Sequence, residues 1–330
     1  MSFVKLTGAV LAATALTAGA AMAREQIRVV GSSTVFPFST AVAEQFGKST
    51  DFATPIVEST GSGGGLKLFC AGVGADHPDM ANASRRMKAS EFATCQQNGV
   101  TAITEVVLGY DGIVVANAKS GADFELTRAQ IWTALAENGP KPMTWDEVDP
   151  SLPAIKIEVL GPPPSSGTRD AFEELVMIEG CKDAGGDDCK KAGSHLREDG
   201  PFVEAGENDN LIVSKLEANP NALGVFGFSF LDQNGDAIKG AMIDGAEATF
   251  ENIADGEYPV SRSLYFYVKG AHIGVIPGLA EFAQTFMQED ASGEEGYLLD
   301  KGLIPLPEEQ FDAMAEAVSA MSEMTGEGLH

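Results

Sequence analysis

Basic residues are scarce. Lys and Arg number 22 against 48 Asp and Glu, a formal net charge of −26 over 330 residues. A nucleic-acid duplex or an anionic bilayer repels such a surface, which argues against both as partners. Histidine is limited to His77, His195, His272 and His330, scattered along the chain. That pattern offers neither a metal cluster nor a base for a serine nucleophile, and no G-x-S-x-G elbow has a plausible His partner. No G-x-x-x-x-G-K-[ST] loop is present for a nucleotide. The four cysteines, Cys70, Cys95, Cys181 and Cys189, show no C-x-x-C spacing. Past the N-terminus, no run reaches the ~18 apolar residues of a spanning helix. Gly (37) and Pro (16) stay well below low-complexity levels.

Apolar residues make up 44% of the chain, enough for real cores, and the length suits two domains of ~100–200 residues. Residues 1–23 have the form of a signal peptide. Lys5 supplies the positive start, Leu6 to Ala20 the apolar stretch, and Ala21-Met22-Ala23 the small-residue cleavage site. Export to the periplasm with cleavage after Ala23 is expected. No Cys lies near the cut, so no lipid anchor is expected. An even cysteine count in an exported chain implies two disulfides, for which three pairings exist. Cys181 and Cys189 bracket the polar run KDAGGDD, which favours a local pair and leaves Cys70 for Cys95.

Short β-branched runs alternate with helical patterns. Strands are expected at 27–30, 54–58, 106–108, 113–115, 155–160 and 260–268. Helices are expected at 37–48, 66–70, 126–136, 170–178, 278–288 and 307–321. Such alternation implies an α/β protein with a parallel sheet covered on both faces. Residues 179–210 are polar and Gly-rich and read as a surface excursion with little regular structure.

Three strand-to-helix turns are rich in Ser, Thr and Gly. They are Gly31-Ser32-Ser33-Thr34-Val35, Ser59-Thr60-Gly61-Ser62-Gly63-Gly64-Gly65 and Ser165-Ser166-Gly167-Thr168-Arg169. Each offers hydroxyls and free N–H groups at a helix start, where the dipole favours an anion. Any one of them is also ordinary capping chemistry; three in one exported chain point to a tetrahedral oxyanion held beyond the strand ends. Ser84, Arg85 and Arg86 follow the short apolar step Met80-Ala81-Asn82-Ala83. Asp111 lies between two apolar runs, where a carboxylate is costly without a partner.

At these residues the sequence resembles the periplasmic phosphate-binding proteins of ABC-type phosphate uptake systems. The matching stretches are VVGSSTVFPF, ESTGSGGGLK, DMANASRRM, GYDGIVV, SSGTRDAF, GVFGFSFL and YPVSRSLYFYV, in the same order across nearly the whole mature chain. The resemblance implies an α/β, two-lobed periplasmic-binding-protein fold of type II, with a ligand cleft between lobes joined by two crossing segments. The crossings fall near 109–111 and 260–264. One lobe would comprise 24–110 plus 263–330, the other 111–262. The implied ligand is inorganic phosphate, held by Ser33, Thr34, Val35, Ser62, Ser84, Arg85, Asp111, Ser166, Gly167 and Thr168, with no cofactor or metal. The implied partners are an inner-membrane permease and its ATPase, and the protein itself would be a monomer.

The best-known branch of that family carries an acid at the position of Arg85 and an Arg shortly before Ser-Gly-Thr, where this chain has Pro162-Pro163-Pro164. The cation and the carboxylate would thus have moved to Arg85 and Asp111, with Arg169 a second candidate cation. Asp111, ionised, would accept the proton that phosphate keeps near neutral pH and turn away sulfate, which has none. Competing readings are a binding protein for sulfate, molybdate or tungstate, an exported phosphatase with a Ser nucleophile, and an adhesive surface protein.

Overall fold

The computed structural model describes residues 24–164, 166–192, 195–206 and 209–330. Residues 1–23, where a signal peptide and its cleavage point are expected, and Ser165 lie outside the described residues. Among the described residues eleven strands form: β1 (Arg28–Gly31), β2 (Ile56–Ser59), β3 (Met80–Ala83), β4 (Ile103–Ala118), β5 (Glu125–Leu126), β6 (Val159–Gly161), β7 (Phe202–Glu204), β8 (Leu223–Gly227), β9 (Ile238–Gly240), β10 (Met242–Ile243) and β11 (Ser261–Lys269). The main sheet runs β2-β1-β3-β11-β4-β8-β6-β7, with β9 also on β4; β5 and β10 pair apart from it.

The outer strands are parallel, as expected: β2, β1 and β3 on one side, and β7, β6 and β8 on the other. The centre differs. β11 runs antiparallel to both β3 and β4, and β4 antiparallel to β8 and β9. The chain passes between the two half-sheets once in each direction, which makes its two crossing strands antiparallel.

The apolar runs at 106–108 and 113–115 are one strand rather than two. β4 is continuous over 16 residues. Its first part pairs with β11 as far as Gly112, and from Ile113 it pairs with β8. The intervening Tyr110-Asp111 thus lies within the strand, not in a turn.

Helices pack on both half-sheets. Phe36–Ser49 follows β1, with Pro37 in its first turn where a missing N–H is harmless. Thr127 caps Arg128–Leu135 through a reciprocal exchange with Gln130, which sets its start. The C-terminal helix Glu308–Ser319 packs on β4 and on Leu279–Thr285, so the tail returns to the first half-sheet. The main core runs through both halves, with Val29, Phe46, Leu264 and Phe282 on one side and Val114, Phe172 and Phe226 on the other.

Disulfides join Cys70 to Cys95 and Cys181 to Cys189, the favoured pairing. The first closes a satellite core around Leu66, Phe69 and Tyr267. The stretch 179–210 carries more regular structure than its composition suggests. Helical turns form at Glu179–Asp183 and Cys189–Ala192, and β7 adds to the sheet edge, burying Phe202. The local disulfide and the free edge of β6 supply the order that hydrophobic content does not.

Candidate functional site

The first and third turns meet. β1 ends at Gly31, and Ser32–Val35 turn the chain into the helix that begins at Phe36. Ser166 caps Gly167–Phe172, its Oγ accepting from the Thr168 N–H at 3.2 Å. A Cβ placed on Gly167 would stand 3.0 Å from Thr34 Cα and 3.3 Å from the Ser33 carbonyl oxygen. A side chain here would force the two backbones apart by a few tenths of an ångström. Ser33 Oγ donates to Asp170 across the same junction.

Between these turns lies a cavity of about 490 Å³. Ser33, Thr34, Ser166, Gly167, Thr168 and Asp111 line it, joined by Ser59, Asp209 and Lys301. Two strand ends and the central crossing therefore deliver hydroxyls, backbone donors and a carboxylate to one place, although 33, 111 and 166 are far apart in sequence.

Asp111 is only 9% exposed. Its partner is Arg262 on β11, which stands directly opposite it in the ladder. Arg262 Nε donates to Asp111 Oδ2 at 3.3 Å, Nη2 to Thr34 Oγ1 at 2.7 Å and Nη1 to Glu174 at 2.6 Å. Burial pushes the Asp111 carboxyl up, and the charge and hydrogen bond of Arg262 oppose that rise. The guanidinium thus links the first turn, the carboxylate and the helical segment that follows the third turn.

Several expected ligands sit elsewhere. Ser62 and Ser84 do not line the cavity; Ser62 Oγ lies 3.1 Å from Ser84 Oγ and accepts from the Ser84 N–H at 3.0 Å. The reason is that the second turn is helical from Ser62 onward. One of its glycines serves packing: a Cβ on Gly65 would fall 2.3 Å from Gly31 Cα, so the helix rests directly on β1. Arg85 is also absent from the lining, its fork filled by Glu91 at 2.8 and 2.9 Å. Val35 is fully buried, and its N–H points to Ser32 Oγ at 3.4 Å. Arg169 turns into its own half, bonded to Glu173 and Pro162 and stacked 4.7 Å over Phe202.

Arg262, Asp209 and Lys301 escaped the sequence reading. Ser59 was visible as the start of the second turn. Arg262 interrupts an aromatic strand, the same signal that marked Asp111, and only the register between the crossings joins the two.

Residues 16–292 match the profile of the PBP superfamily domain. The chain belongs to the PBP superfamily. Its two-lobed periplasmic-binding fold explains why β4 runs through both half-sheets and why the cavity lies where they meet. Among superfamily relatives, the phosphate-binding protein PstS of Staphylococcus haemolyticus is 31% identical over 288 residues, covering 85% of this chain and 81% of that one. Protein SphX of Synechococcus elongatus is 28% identical over 300 residues, covering 89% and 81%. Among solved structures, a possible phosphate-binding protein from Planctomyces limnophilus superposes with a TM-score of 0.74 at 27% identity, covering 90% of this chain and 99% of that one.

Proposed function

We propose that this chain binds inorganic phosphate in the periplasm and delivers it to an inner-membrane ABC permease and its ATPase. The observation that carries the reading is the arginine-bridged cavity: Arg262 ties Asp111 to Thr34 where the Ser33–Thr34 and Ser166–Thr168 turns converge. The names of the similar proteins support the choice of phosphate among oxyanions. The chain acts as a monomeric binding protein rather than an enzyme. It is exported by its signal peptide, which is removed after Ala23. Among the described residues, no helix is long and apolar enough to cross a membrane.

In this reading the lobes comprise 24–110 plus 263–330 and 111–262, and they close on the anion. Hydroxyls and N–H groups of Ser33, Thr34, Ser166, Gly167 and Thr168 replace its hydration shell with fixed dipoles in a poorly screened space. Arg262 supplies the charge-assisted contact. Asp111, paired with Arg262, accepts the hydrogen that phosphate retains. Sulfate has no hydrogen to offer, so the carboxylate repels it. Ser62, Ser84 and Arg85 brace the first lobe behind the cavity. The acidic surface does not prevent binding, because charges beyond about 8–10 Å are screened at physiological salt.

Thermal unfolding with added anions tests the proposal. A ligand confined to the folded state raises the melting temperature in proportion to the logarithm of its concentration over Kd. Phosphate is expected to protect, and sulfate and molybdate to leave the melting temperature unchanged. Equal protection by sulfate or molybdate points to a general oxyanion receptor. Turnover of a chromogenic phosphate ester would overturn the binding-protein assignment.

A further inference from the structure

A second carboxylate shares the cavity with Asp111. Asp209 opens the helix Asp209–Ala218 and lines the cavity together with Gly227 and Phe230. It is partly buried, and its carboxylate accepts a hydrogen bond from the Gly227 N–H.

The charges around it are otherwise engaged. Its helix packs on β4, β8 and β9. The charged residues of those strands are Glu105 and Asp111 on β4 and Lys239 on β9. Glu105 is paired with Arg86, Asp111 with Arg262 and Lys239 with Asp123. Lys301 is the basic residue of the cavity lining. Burial pushes the Asp209 carboxyl up to about 6, with the Gly227 hydrogen bond opposing the rise.

Among the described residues no neighbouring charge offsets the burial of the Asp209 carboxylate, and an arriving anion raises the cost of ionising it by like-charge repulsion. A hydrogen shared between the carboxylate and the guest removes both penalties. We propose that Asp209 is a second proton-reading residue of the anion site, so that the bound guest is held through one hydrogen at Asp111 and another at Asp209. The inference rests on the phosphate reading. Hydrogen phosphate brings one hydrogen, which meets Asp111. The second is taken from solvent and lies between Asp209 and a phosphate oxygen, whichever of the two formally carries it. Binding above neutral pH then consumes about one proton per phosphate.

Calorimetry of the full mature protein with inorganic phosphate, in buffers of different ionisation enthalpy, counts that proton at pH 8 without any variant. Uptake of about one proton is expected. By linkage, affinity then falls about tenfold per pH unit above pH 7.5. Asp209→Asn is expected to abolish the uptake and to bind phosphate at least about tenfold more tightly than the parent at pH 8, with the two converging near pH 5. Phosphate binding that is tight, flat with pH and free of proton uptake in the parent protein overturns the role of Asp209 while the phosphate reading stands. Absence of phosphate binding at every pH overturns both.

Discussion

Arg262 and Asp111 face each other directly across the β11–β4 ladder, where the two crossing strands run side by side. Directly opposed residues on an antiparallel pair project from the same face, so the ion pair follows from the register itself. Both side chains are nearly buried, at 8% and 12% exposure. Removing one partner of such a pair leaves an uncompensated charge. Arg262→Met is therefore expected to cost about 3–5 kcal/mol of stability. Urea unfolding of the single variant and of Arg262→Met with Asp111→Asn checks this. The double variant should recover part of the loss.

Two arginines compete for the role of anion cation, and their surroundings separate them. Arg85 is clamped by Glu91, whose hydrogen bonds push its pKa up against the effect of burial. Arg262 lies outside the cavity lining but bonds to two residues that line it, Thr34 and Asp111. Arg262→Gln is expected to weaken phosphate binding by about 1.5–3 kcal/mol, the scale of a lost charged hydrogen bond. Arg85→Gln should change binding by less than a third of that. Titration calorimetry of the pair decides, and a larger loss from Arg85→Gln would return the cation to the Ser84–Arg85 segment.

Selectivity is expected to reside in Asp111. Asp111→Asn retains the shape and supplies an N–H donor, which sulfate can use as well as phosphate. The ratio of phosphate to sulfate affinity should fall by at least about tenfold, or ~1.4 kcal/mol. Competition binding at pH 7 measures the ratio. An unchanged ratio would remove Asp111 from the proton-acceptor role.

Gly167→Ala tests the contact between the first and third turns. Its methyl group would lie 3.0 Å from Thr34 Cα, between two backbones that have little freedom to yield. Separation of the turns by a few tenths of an ångström should weaken phosphate binding about tenfold, because small misplacements of positioned donors are costly. The melting temperature of the free protein should change little. A variant that binds normally would show that the turns close on the anion with slack.

The Cys70–Cys95 disulfide closes the longer of the two covalent loops, spanning 25 positions against 8 for Cys181–Cys189. Replacing both of its cysteines by serine is expected to cost about 3 kcal/mol, and more than the same change at Cys181 and Cys189. Chemical denaturation of the two double variants gives the comparison.

Much of the fold was legible in short-range pattern. The strand and helix candidates fall on real elements because hydrophobic periodicity and turn residues report local geometry. The local disulfide was legible for a similar reason, since a short polar loop between two cysteines limits their partners. The excursion at 179–210 was misread because its order comes from a disulfide and a sheet edge rather than from its own composition. The Gly-rich second turn admits two readings for a deeper reason. Glycines suit both an anion loop and a helix pressed against a strand, and only the closeness of Gly65 to Gly31 tells which use applies.

By itself, the sequence determined the class of the protein: its α/β alternation and the Ser/Thr/Gly corners, because these depend on residues near one another in the chain. The tertiary structure alone decided which corners share a cavity, which arginine faces Asp111 and that Asp209 stands with it. Those outcomes depend on strand register and on how helices seat against the sheet, and a single residue of slip would point every side chain to the opposite face.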